Sequence, residues 1–367
     1  MKINRQNLLT LVTVLARVIP AKSGLNYTQN IRLQSADGKL QLRCSDGETD
    51  IVSSIPFESE GENDSVLGSV PCAILLNIVK NIDDESLSVT ADASVVKVSW
   101  KEGHATLPNL GDEFPAVILP KDPANYSRAG AELEEGIGVA GFAVAKDMLR
   151  PAMNSICLNF TESVTDIVAT DSRILVCKPS TAGDARGNVL IPERIAKLIK
   201  GSCSEVEEVI IESSAQRTTL RLADTAVTYS STTNAFPNYN SVFPKTASSK
   251  LTAETKTLIQ TIKRISVTDP MVKVSASSDL TGGTVTFSAA SYFSNSKETL
   301  SCDYEGEPVE IAFNASHLID VLSNIRLETV TLSFNGPTKP VTITSDTEGA
   351  TRAIVMPVKA PTPEKKK

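Results

Sequence analysis

Histidine is nearly missing from this chain: His104 and His317 are the two among 367 residues. Neither stands in a spacing that suggests a catalytic triad or a metal site. No Gly-x4-Gly-Lys phosphate loop, no His-Glu-x2-His helix and no Gly-x-Ser-x-Gly nucleophile turn occurs. Asp166 and Asp171 lie close together in TDIVATDSR, but beside a strand such a pair reads as turn chemistry, not an acid–base couple. The six cysteines (Cys44, Cys72, Cys157, Cys177, Cys203 and Cys302) never form a Cys-x2-Cys pair. That leaves no zinc or redox motif and predicts buried, reduced thiols. No apolar run approaches the ~18 residues of a membrane span. The first twenty residues resemble a secretory signal only superficially. Thr10, Thr13 and Arg17 interrupt them and no small-residue cleavage site follows, so they read as an amphipathic helix stopped by Pro20. Together these absences predict a cytoplasmic scaffold without metal, cofactor or membrane, one that holds something and does not react on it.

What is present is a repeat. The length fits two or three domains, and the composition is globular, with 41% hydrophobic and 22% charged residues. Phe114-Pro115, Phe236-Pro237 and Met356-Pro357 punctuate the chain, their prolines 122 and 120 residues apart. A second marker keeps the period: Val70-Pro71, Ile191-Pro192 and Phe313-Asn314, each followed by a helical apolar pattern, at intervals of 121 and 122 residues. Proline suits a first helical turn and asparagine a cap. A third marker is an amphipathic helix opening each copy, over residues 6–19, about 143–150 and about 254–265. Alternating runs such as KLQLRC, SVVKVSW, TLRLAD and VTLSF lie between and read as strands. The fold expected is α+β, in three copies divided near the polar segments 121–135 and 245–250, with two helices packed on antiparallel sheets in each copy.

Charge is unevenly distributed. The net charge of −7 argues on its own against nucleic acid. Yet twelve basic residues fall on or beside helices: Arg17, Lys22, Lys80, Lys146, Arg150, Arg194, Lys197, Lys200, Lys256, Lys263, Arg264 and Arg326. The same stretches carry few acids, chiefly Asp147, Glu193, Glu254 and Asp320. Any one of these cations fits a solvated helix face. Jointly they suggest a surface for a polyanion, bound through phosphate contacts that carry no sequence information.

At this point the residues match a family. ATDSRILV after a strand, FPNYNSVFP at the end of the second copy, FNASHLIDVLSNI in the third and the ending IVMPVK together resemble the bacterial DNA polymerase III beta subunit, the sliding clamp, from Met1 to about Lys359. The resemblance implies three DNA-clamp domains, at 1–124, 132–246 and 247–359, with 360–367 as a disordered basic tail. It implies a head-to-tail homodimer closing into a ring around double-stranded DNA, held without sequence specificity. Lys22, Lys80, Lys146, Arg150, Arg194, Lys197, Lys256 and Lys263 would face the DNA. The replicative polymerase, the clamp loader and other proteins with a clamp-binding motif would dock as peptides. Their pocket would comprise Met153, Thr170, Ser172, Arg173, Ile174, Leu175, Pro237, Ser241, Val242, Pro340, Ile354, Met356, Pro357 and Val358.

The chain departs from the family pattern in places. Gly-His-Arg-Leu is common after the Thr-Asp, and here Ser172-Arg173-Ile174-Leu175 stands. A basic residue is common where Ser241 is, and the chain runs on past the Met-Pro pair. Glu102 and His104 are expected at strand positions of the ring-closing edge, where apolar residues are usual. They motivate an alternative: a clamp-like peptide-binding hub that does not close stably on DNA.

Overall fold

The structure, a computed structural model, describes residues 1–20, 25–59, 61, 64–111, 114–147, 149–183, 185–279, 282–345 and 349–359. Lys22 and the tail 360–367 lie outside the described residues. Three times the chain runs through one order: a strand, a helix, four strands, a helix, three strands. The first pass is β1 (Lys2–Asn4), α1 (Arg5–Ala16), β2 (Asn30–Ala36), β3 (Lys39–Ser45), β4 (Thr49–Pro56), β5 (Leu67–Pro71), α2 (Cys72–Lys80), β6 (Ser86–Ala91), β7 (Val95–Trp100) and β8 (Gly103–Pro108). The second is β9 (Ala124–Ala129), α3 (Gly130–Ala140), β10 (Ser155–Phe160), β11 (Thr165–Thr170), β12 (Ile174–Ser180), β13 (Gly187–Pro192), α4 (Glu193–Ile199), β14 (Glu208–Ser213), β15 (Arg217–Leu222) and β16 (Thr225–Ser230). The third is β17 (Ser249–Glu254), α5 (Thr255–Ser266), β18 (Met271–Asp279), β19 (Gly282–Ala290), β20 (Asn295–Gly306), β21 (Val309–Asn314), α6 (Ala315–Asn324), β22 (Thr329–Phe334), β23 (Val341–Thr344) and β24 (Arg352–Val355).

Local chemistry explains these elements. In β7, Val96 and Val98 are buried and Lys97 between them is exposed, the period-2 pattern of a strand with one covered face. In α5, Leu258, Thr261, Ile262 and Ile265 are buried at three- and four-residue steps. Asn4 caps α1 by accepting from the Asn7 amide at 3.0 Å, and Asn314 caps α6 by accepting from the Ser316 amide at 2.9 Å. Pro71 and Pro192 stand at the N-caps of α2 and α4, where a missing N–H costs nothing. Five of the six thiols are buried, Cys302 is half-buried, and none is in a disulfide.

Each pass builds two antiparallel four-stranded sheets. Its second to fifth strands form one, and its first, sixth, seventh and eighth form the other. The chain groups into two compact units, Met1–Leu133 with Gly201–Thr233, and Glu134–Lys200 with Asn234–Lys367. In the first, β4 pairs with β16, from Ser53↔Thr225 to Thr49↔Tyr229, and fuses two sheets into one of eight strands; β1, β6, β7 and β8 form a separate sheet. In the second, β12 pairs with β24, from Ile174↔Val355 to Cys177↔Arg352. There β20, 12 residues long, pairs with β19 along its first part and with β17 at its end, giving a twelve-stranded sheet.

Two expectations are corrected. The helix opening the second copy is α3, not residues 143–150, and it starts inside the segment read as a linker. Leu133, Ile137 and Ala140 form its buried stripe. Four glycines in GAELEEGIGVAG hide the pattern, because glycine disfavours helices by about 1 kcal/mol each. Two of them are required by packing. A Cβ on Gly130 would lie 2.0 Å from the Cys203 carbonyl oxygen, and one on Gly136 would lie 2.1 Å from Ile167 Cδ1. The run Gly136-Ile-Gly-Val-Ala-Gly141 has dinucleotide-loop spacing, yet it lies in and at the end of a helix and not in a strand-to-helix turn. The second correction concerns Glu102, which lies in the β7–β8 turn; of the two edge residues only His104 is on a strand, exposed and opposite Ser99.

Candidate functional site: a methionine-flanked pocket and basic helix edges

Strand register brings several of the expected pocket residues together within the second unit. Thr170 on β11 lies opposite Leu175 on β12, and Leu175 lies opposite Ile354 on β24. Residues in register share a sheet face, so these three side chains line up across three strands. The same face carries Cys157, Val168 and Cys177, and with Leu175, Ile354 and Tyr239 they form one buried cluster. Phe236, Phe243, Leu190 and Met356 pack against it, partly buried. Alternation sends Ile174 to the opposite face beside Val355, so it belongs to the core there and not to this cluster.

The turn before β12 lies beside this cluster. The Asp171 carboxylate accepts from the Arg173 and Ile174 amides at 2.7 and 2.8 Å, and Thr170 Oγ1 donates to the Ile174 carbonyl at 2.7 Å. Ser172 is thereby held at φ 79°, in the left-handed region that favours glycine. Its hydroxyl accepts from Arg150 Nη1 at 2.7 Å and lies 3.8 Å from Met153 Sδ. On the other side the Met356 amide donates to the Arg173 carbonyl at 2.8 Å. Two half-exposed methionines therefore flank one turn, and exposed Pro237, Ser241 and Val242 belong to the segment that carries Phe236, Tyr239 and Phe243 over the cluster. An apolar floor with adaptable methionines suits short apolar peptides of varied sequence.

A polar network under that segment was not foreseen. The Tyr239 hydroxyl donates to Asp166 Oδ2 at 2.7 Å and accepts from Asn159 Nδ2 at 2.6 Å. Arg352 lies 4.0 Å from the same carboxylate, donates to Cys177 Sγ at 3.4 Å, and stands 4.6 Å over the Phe243 ring. Burial and the Asp166 carboxylate push the Cys157 and Cys177 thiols up to about 12, and burial with the bond to Asp166 raises the Tyr239 phenol above its ordinary range. These groups stay protonated and serve as structure, which gives Asp166 a holding role. The aromatic spacing in FPNYNSVFP was the signal available in the sequence.

Pro340 precedes β23, next to Val341, which pairs with Val355. Pro357 and Val358 leave the others: the Val358 amide donates to the Ala312 carbonyl at 2.8 Å. Both line a cavity of about 920 Å³ on the β18–β21 sheet, together with Met271, Lys273, Lys297 and Lys359. None of the other expected pocket residues lines it.

The basic residues sort by helix. Lys80, at the end of α2, is exposed. On α4, Arg194 and Lys197 are exposed, and Lys197 pairs with Glu193 at 2.7 Å. On α5, Lys256 and Lys263 are exposed, while Arg264 is held by Glu298 at 2.5 Å. Lys146 and Arg150 are exposed but lie beyond α3 in non-helical backbone, so the helical face expected to join them does not form; Arg150 turns to Ser172 instead.

Comparison with known proteins adds an independent line. Residues 1–118 match the family model of the DNA polymerase III beta subunit, N-terminal domain, and residues 240–359 that of its C-terminal domain. A beta sliding clamp from Rickettsia bellii is 27% identical over 363 residues, 93% of this chain and 94% of that one. The crystal structure of the DNA polymerase III subunit beta from Pseudomonas aeruginosa superposes with a TM-score of 0.89 at 22% identity, covering 98% of this chain and 100% of that one. A sliding clamp of the same organism, bound to griselimycin, gives 0.89 at 22% identity over 98% and 99%.

Proposed function

Because the chain belongs to the DNA polymerase III beta subunit family, the sliding clamps, we propose that it encircles duplex DNA as a head-to-tail homodimer, slides without reading sequence and tethers the replicative polymerase. Each pass through the ten-element order is one clamp domain, the second opening at β9. The observation that carries the reading is a pattern of sheet edges. The fourth strand of the first pass joins the eighth of the second, and the fourth of the second joins the eighth of the third. The fourth of the third, β20, and the eighth of the first, β8, have no such partner among the described residues. Two copies joined by that same rule at both open edges would make a ring, the outcome of a heterologous contact whose rotation returns to its start.

The exposed cations of α4 and α5 suit duplex phosphate, and the methionine-flanked pocket suits peptides of the polymerase, the clamp loader and other partners. No catalysis is assigned to the chain, and its place is the cytoplasm. Exposed His104 on β8 favours the rival reading, a peptide-binding hub that stays open. Solution mass and retention on DNA separate the two. The clamp gives twice 39.2 kDa and remains on nicked circular DNA while running off the linear form. A monomer at micromolar concentration, with equal loss from both DNAs, overturns the ring.

A further inference from the structure

Tyr292 and Phe293 are 93% and 92% exposed, an aromatic pair that nothing in the described chain covers. Their turn is well built. The β19–β20 register ends at Ala290↔Asn295, the Ser291 amide donates to the Ser294 carbonyl at 2.8 Å, and the two serine hydroxyls lie 2.9 Å apart. The rings meet edge to face with centroids 4.8 Å apart. Val267, 87% exposed just past α5, lies at the same end, because Ser296 Oγ donates to the Ile265 carbonyl at 3.1 Å. A preorganised turn that presents two large rings to water gains apolar burial on docking and has little ordering cost.

The position of this turn identifies its occupant. In both filled junctions the start of the fourth strand lies opposite the end of the eighth: Thr49 faces Tyr229, and Ile174 faces Val355. At the second junction the turn before the fourth strand also bonds the residue just after the eighth, through Arg173 and Met356. Tyr292 and Phe293 occupy the equivalent turn before β20. The residues just after β8 are Asn109 and Leu110. The Leu110 amide donates to the Ser69 carbonyl at 2.8 Å and Asn109 Nδ2 to the Leu67 carbonyl at 3.2 Å. These bonds hold Leu110 and Leu67, 49% and 43% exposed, beside the end of the unpartnered edge.

We propose that the Tyr292–Phe293 turn is an aromatic anchor of self-association, docking on the Leu67–Leu110 patch of a second copy of this chain. This rests on the ring reading above. It supplies apolar burial at an edge whose own strand carries His104, and it moves the anchoring residues from the strand to the turn beside it.

The test uses the full chain with Tyr292→Ser and Phe293→Ser together, and separately with Phe293→Cys and Leu110→Cys. Substitution at fully exposed positions leaves unfolding of the monomer unchanged, read at a concentration low enough that wild type and variant are both dissociated. The serine pair raises the dimer dissociation constant by about a hundredfold in sedimentation equilibrium, the scale of a lost interface anchor. The cysteine pair gives an interchain disulfide on mild oxidation that neither single cysteine gives. A wild-type dimer whose affinity the serine pair leaves unchanged, without the crosslink, overturns the anchor and leaves the ring standing. Unchanged dimerisation with loss of a polymerase-derived peptide assigns the turn to that partner and also overturns the proposal. A wild-type monomer overturns the ring, and the anchor with it.

Discussion

Replacing Tyr239 by Phe keeps the ring in the cluster and deletes one hydroxyl, so it isolates the network under the pocket. The hydroxyl gives a hydrogen bond to the Asp166 carboxylate at 2.7 Å and takes one from Asn159 at 2.6 Å, in a residue 5% exposed. A bond to a charged acceptor contributes about 1.5–3 kcal/mol, and a neutral one about 1 kcal/mol. Asn159 is half-buried and can turn to water, so its share is discounted. Asp166, 6% exposed, is left with the Arg352 guanidinium at 4.0 Å and cannot be resolvated cheaply. The expected loss is about 2 kcal/mol, confined to the unit that contains Glu134–Lys200 and Asn234–Lys367. A chain of two units need not unfold in one step, and its single tryptophan, Trp100, lies in the other unit. Hydrogen exchange at the β11 and β12 amides is therefore the appropriate assay, beside peptide binding. Protection reduced about thirtyfold, with weaker peptide binding, is the expected result. A change below about 0.5 kcal/mol in β11 and β12, with peptide affinity intact, would refute the claim that Tyr239 and Asp166 hold the covering segment in place.

Met356→Asp puts a charge at the pocket mouth and is expected to abolish peptide binding while sedimentation still shows the dimer. Ser172→Gly relieves a residue held at φ 79° and should stabilise its turn by up to about 1 kcal/mol, read as a higher melting temperature, while freeing Arg150. Alanine at Arg194, Lys197, Lys256 and Lys263 removes as many as four phosphate contacts from each chain of the ring; the slope of log affinity against log salt should then become shallower by up to about 7. Burial and the Asp166 carboxylate raise the Cys157 and Cys177 thiols from 9.0 to about 12. The folded chain then keeps protons that the unfolded chain releases, so this contribution is fully present below pH 9.0 and is lost as pH rises toward about 12. Alkaline titration followed by circular dichroism checks the sign.

The period was legible because prolines and caps at helix starts are local chemistry, repeated at each copy. Helix α3 was not, because its glycines answer to the Cys203 carbonyl and to Ile167, neither of which can be inferred from neighbouring residues. Thr170, Leu175 and Ile354, expected in the pocket from motif order, stand in one register. Ile174 stands apart from them because a motif names consecutive residues while a strand sends them to opposite faces. Tyr239, Asp166 and Arg352 escaped because their partners are set by folding: Tyr239 and Asp166 are 73 residues apart.

The join between β4 and β16 has a consequence for synthesis on the ribosome. Ser53 and Thr225, whose hydroxyls meet at 2.6 Å across that join, are 172 residues apart. At ordinary bacterial elongation rates β4 waits roughly 10–35 s before its neighbour has been made. Through that interval the nascent chain carries a finished but uncovered strand, the kind of surface that invites pairing with other chains. Slowing translation between Thr49 and Ser230 should therefore lower the yield of folded protein, even though the amino-acid sequence is unchanged.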